Sequence, residues 1–102
     1  MHENFPAKGF YIHYKHDPKG ERHNHTYEVI GVARNTEENN YSVLYRPLYQ
    51  NEWLASASYF ARPLGMFMEA VLKNGEKVSR FSLITDEDVI AELKKETIRK
   101  YG

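Results

Sequence analysis

Tyr27-Glu-Val-Ile-Gly-Val-Ala-Arg34 and Tyr41-Ser-Val-Leu-Tyr-Arg-Pro-Leu48 are the two runs whose reading decides the fold. Both are rich in β-branched and aromatic residues, and the polar stretch from Asn35 to Asn40 reads as the turn between them. The first strand is expected over Thr26–Arg34 and the second over Tyr41–Arg46. Gly31, inside the first, marks a bulge of the kind that bends a sheet towards a barrel. Two Arg-Pro dipeptides sixteen residues apart then close aromatic runs, Tyr45-Arg46-Pro47-Leu48-Tyr49 and Tyr59-Phe60-Ala61-Arg62-Pro63-Leu64. Proline has no N–H and stops the ladder, so each arginine sits at a strand end among aromatic rings. This is the pattern of a binding surface on a small β-barrel.

Working outward, residues 1–8 form a polar lead-in, and Gly9–His16 alternates as a strand. Phe10, Ile12 and Tyr14 lie on one side of it, Tyr11, His13 and Lys15 on the other. Asp17 to Asn24 has turn residues and charges without an apolar anchor, and reads as an exposed, mobile loop. Residues 47–56 read as a loop carrying the only Trp, Trp53, as a buried or half-buried ring. Ala57–Arg62 is a short strand, and Pro63 to Phe67 a helical turn. Asn74-Gly75 predicts a type I′ turn between Glu69–Lys73 and Lys77–Leu83, since both central positions need positive φ. From Asp86 to Lys100 a helix is expected, capped by Thr85 or Asp86. Its acidic start and basic end suit the helix dipole, and Val89, Ile90, Leu93 and Thr97 form a narrow apolar stripe. The expected organisation is one domain: a lead-in (1–8), a β unit (9–84) and a C-terminal helix packed on it (85–102).

At 102 residues the chain can bury one modest core. Fourteen basic residues balance fourteen acidic ones, so any anion binding is local rather than a general attraction to nucleic acid or membrane surface. With no cysteine, disulfides and thiolate chemistry are excluded. The start of the chain lacks a signal-peptide pattern and no apolar run approaches bilayer length, so a soluble cytoplasmic protein is expected. Eight tyrosines supply most of the aromatic residues. The simplest reading of these rings is a core and its rim, with a few facing a ligand.

Several blocks taken in order carry a resemblance: Gly9-Phe-Tyr-Ile-His-Tyr-Lys15, Tyr27 to Arg34, Val43-Leu-Tyr-Arg-Pro-Leu-Tyr49, Arg62-Pro-Leu-Gly-Met-Phe67 and Arg80-Phe-Ser-Leu-Ile84. Together they resemble a bacterial family known as domain-of-unknown-function family 1653, over roughly Gly9 to Ile84. The resemblance implies a small all-β module with an SH3-like barrel or roll and carries no activity. The sequence departs from the family pattern where His16 to Thr26 intervene, and between Leu48 and Arg62. The fold expected is therefore mainly β: an SH3-like barrel of about five antiparallel strands with one C-terminal helix.

Arginine presents a rigid fork suited to carboxylate or phosphate and stacks on aromatic faces. Arg34, Arg46 and Arg62 end three strands, and in a curled sheet they are expected to converge at one rim, with Tyr45, Tyr49 and His13 beside them. The plainer alternative ties each to a loop carbonyl or to Glu28, Glu37, Glu52 or Glu69. His13-x-x-His16 and His23-x-His25 flank the polar loop, but their spacing is poor for metal, and no metal site or cofactor is assigned. No nucleophile elbow, phosphate loop or paired-carboxylate motif is present. The function expected is a noncatalytic recognition module for an anionic small molecule, peptide or RNA segment. The alternatives are a small hydrolase or isomerase using His13 with Glu28 or Glu69, and a protein–protein assembly module.

Overall fold

The computed structural model describes residues 5–49 and 59–102. Its elements are β1 (Gly9–His13), β2 (Thr26–Asn35), β3 (Asn40–Pro47), β4 (Phe60–Pro63), α1 (Leu64–Met68), β5 (Ala70–Lys73), β6 (Glu76–Ser79), β7 (Phe81–Leu83) and α2 (Glu87–Tyr101). Five strands form one antiparallel sheet in the order β4-β3-β2-β1-β7, curled into a half-barrel, while β5 and β6 form a separate hairpin. The mainly β reading with one long C-terminal helix holds. Trp53 and the start of the expected strand over Ala57–Arg62 lie outside the described residues.

The curl has a local cause. Between Val29 and Gly31 the β2–β3 register slips by one residue, leaving Ile30 without a partner. The unpaired residue adds twist and bends the strand, as the interior glycine predicts. Asn74 and Gly75 adopt φ of 53° and 82°, the type I′ signature, and join β5 to β6 in antiparallel register. One expected strand is in fact two. Lys77–Leu83 breaks at Arg80, whose N–H donates to the Glu69 carbonyl while its own carbonyl accepts from Tyr14. β6 therefore stays in the hairpin, and β7 crosses to pair with β1.

Alternation along the strands divides the core. On the concave face Tyr11, Tyr27, Val29, Val43, Tyr45, Phe67 and Phe81 form one buried cluster. Phe67, delivered by the short α1, stacks on Phe81 with ring centroids 4.2 Å apart and planes 6° from parallel. On the convex face Phe10 and Leu48 pack with Leu93 of α2, bordered by Ile84, Ile90 and Tyr101. Asp86 caps α2 by accepting from the N–H groups of Asp88 and Val89. The buried stripe runs through Ile90 and Leu93 to Tyr101, and Val89, expected within it, is exposed.

The loop after β1 is exposed from Asp17 to Arg22 but is knitted together. Asn24 Nδ2 donates to the carbonyls of Asp17 and Glu21, and Asn24 Oδ1 accepts from the Asp17 N–H at 2.8 Å. One side chain so replaces the apolar anchor that the sequence lacks. Among the described residues no group of three His, Asp or Glu side chains is disposed to hold a metal.

Candidate functional site

Which side each arginine faces follows from register. Directly opposed residues of paired strands project to the same face. Val43 pairs with Arg62 and Tyr45 with Phe60, so Arg62 shares the concave side with the aromatic cluster. Glu28 pairs with Arg46, which puts both on the convex side.

Arg62 is half-buried. Its Nε donates to the Tyr45 hydroxyl at 3.2 Å, and its guanidinium carbon lies 5.6 Å from the centroid of Phe81. Among the described residues no carboxylate lies within ion-pairing distance, and the two terminal nitrogens have no hydrogen-bond partner. The guanidinium is thus oriented at one edge and, among the described residues, unpartnered at the other. Around it, Tyr27 meets Tyr45 edge to face at 5.2 Å, and its hydroxyl shares a 2.9 Å hydrogen bond with that of Tyr49. Burial, and then that bond, hold the Tyr27 phenol far above its usual range, so it is neutral.

His13 belongs to the same face and is almost wholly buried. Its ring packs edge to face on Phe81 at 4.9 Å and near parallel to His25 at 5.6 Å. The Lys15 N–H donates to Nδ1, which fixes the neutral tautomer with the proton on Nε2. Burial, followed by His25, Arg62, Arg80 and Lys15, pulls the His13 pKa down to about 4. The imidazole is neutral at neutral pH, and of the two arginines that act on it Arg80 is paired with Glu69, whereas Arg62 has no ion-pair partner among the described residues.

The expected convergence of three arginines does not occur. Arg46 Nε pairs with Glu28 at 2.9 Å, and its guanidinium stacks on Tyr101 of α2 at 4.1 Å. It fastens the helix to the convex face. Arg34 lies at the far end of the β2–β3 hairpin, bonded to Asn39 and over the Tyr41 ring. Of the expected group, Arg62, Tyr45, Tyr49 and His13 come together. Tyr27, His25 and Phe81 join them; the sequence pattern raises His25 only as a metal ligand and does not place Tyr27 or Phe81 at this site. His25 gives one signal, since a non-glycine residue at φ 51° is uncommon, but it is visible only in coordinates. Glu28 is on the opposite face from His13, and Glu69 pairs with Arg80 at 2.9 Å, so neither carboxylate hydrogen-bonds to the histidine.

A family model described as "Protein of unknown function (DUF1653)" matches residues 9–83. Among solved structures the chain is similar to the crystal structure of a protein of that family from Bordetella bronchiseptica. Identity is 28% and the TM-score 0.59, covering 79% of this chain and 94% of that one. No curated protein matches. The matched span runs from β1 through β7 and takes in the bulge, both Arg-Pro steps and the concave aromatic face, and on that ground the chain belongs to the DUF1653 family.

Proposed function

We propose that this protein is a noncatalytic recognition module that binds an anionic group at Arg62, on the aromatic concave side of the half-barrel. One observation carries the reading: the Arg62 guanidinium is held at Nε by Tyr45, backed by Phe81, and has no partner for its terminal nitrogens among the described residues. A guanidinium fixed in this way loses little freedom on meeting a carboxylate or phosphate bidentately. Neutral His13 and the phenols of Tyr45, Tyr27 and Tyr49 add hydrogen-bonding groups without adding charge. A single fixed cation favours a small molecule or a peptide carboxylate over a tract of RNA, which calls for a positive groove following its backbone.

The test is melting of the parent, Arg62→Ala and Arg46→Ala proteins, each without ligand and then with sulfate or phosphate. The parent is expected to gain stability with anion, and Arg62→Ala to keep its fold while binding more weakly by roughly 1.5–3 kcal/mol. Severe destabilisation of Arg62→Ala, with no anion response in the parent, would show Arg62 to be scaffolding.

A further inference from the structure

Where the five-stranded sheet meets the β5–β6 hairpin and the knitted loop, a cavity of about 370 Å³ opens. That is within the range of small-molecule sites. Its apolar walls come from Ile12 and Val78, and its polar side from Lys73, Ser79, Ser82 and His16, with His13 on the border it shares with the Arg62 face. Among the described residues no acidic side chain lines it. We infer that this cavity is a second binding site, for a small monocarboxylate with an apolar body. It goes beyond the Arg62 reading and does not depend on it.

The donors define the ligand's charged end. Lys73 Nζ donates to the Tyr14 carbonyl at 2.9 Å, which positions the ammonium and leaves two of its three N–H bonds for a ligand. Ser79 and Ser82 line the same cavity, and their hydroxyls are neutral donors. His16 Nδ1 lies 2.6 Å from the Asn24 carbonyl, which can only accept, so Nδ1 carries a proton and the ring is held against the loop. One cation and two hydroxyls match a monoanion. A phosphate dianion would be left with half its charge uncompensated, and an ammonium ligand would face Lys73. The walls of Ile12 and Val78 repay burial of a ring or branched chain, which separates a benzoate-like molecule from acetate.

The experiment is an amide-resolved NMR titration of the parent and of Arg62→Ala with benzoate, benzamide, acetate and inorganic phosphate. Saturable shifts are expected with benzoate at Tyr14, Lys73, Ser79 and Ser82 in both proteins, so failure of the Arg62 reading leaves this outcome intact. Benzamide and acetate should bind at least about fivefold more weakly, and Lys73→Met should weaken benzoate about tenfold, the scale of one charge-assisted contact. Ser82→Ala serves as a second, smaller perturbation, and melting of each variant without ligand separates lost binding from lost fold. The inference is overturned if benzoate fails to saturate these positions, if benzamide or phosphate binds as well as benzoate, or if neither folded variant changes the affinity.

Discussion

Arg46 and Arg62 stand in similar settings along the chain, each closing an aromatic-bearing run just before a proline, yet the fold turns them to opposite faces of the sheet. Arg46 is enclosed by Glu28 and Tyr101, with its side chain 17% exposed. Replacing it with Ala strands a partly buried carboxylate and removes a stack on α2, so Arg46→Ala is expected to lose about 1–3 kcal/mol in urea denaturation with no change in anion response. His13 sets a second expectation. Its pKa is near 6.5 in the unfolded chain and about 4 in the fold, so between those values the unfolded chain takes up a proton that the folded one refuses. Its contribution is complete above pH 6.5 and is lost as pH falls towards 4, about 3 kcal/mol across the window. His23 and His25, also held low mainly by burial, act in the same direction. Stability of His13→Gln, measured at pH 4 and pH 7, should fall less on acidification than that of the parent. An equal fall would mean that the neutral imidazole contributes nothing.

At the scale of elements, much was legible from local pattern and some was not. Alternation in β1 separates Tyr11 and His13 from Phe10, and the structure keeps that division, because a strand turned against a core has a two-residue period. Asn74-Gly75 and the interior Gly31 were legible because their conformations are local. The facing of Arg46 against Arg62 was not, since the β3–β4 register pairs even positions with odd ones, and register is set by packing across the sheet. The break at Arg80 was also hidden, as it depends on the Glu69 carbonyl and on β1 rather than on any breaker in the run. Two substitutions test these elements. Gly75→Ala, forced to φ 82°, should cost about 1 kcal/mol by thermal or chemical denaturation. Phe67→Ala removes the ring that α1 stacks on Phe81 and should cost about 3–5 kcal/mol. A loss under about 1 kcal/mol would mean that α1 does not close the concave core.

Across the whole molecule, the curled sheet separates two tasks. Its convex face is bound to α2 through Phe10, Leu48, Leu93 and the Glu28–Arg46–Tyr101 stack. Its concave face holds the Arg62 guanidinium against Tyr45 and Phe81, with no ion-pair partner among the described residues. Overall charge is balanced, so the asymmetry between the faces lies in which one each arginine occupies rather than in net charge. The most direct measurement is a sulfate titration followed through the arginine Nε–Hε NMR signals, with Arg62 and Arg46 assigned by their Ala variants. The Arg62 signal is expected to shift and saturate while that of Arg46 stays still. Saturation at Arg46, or no response at Arg62, would contradict a concave anion site backed by a structural convex face.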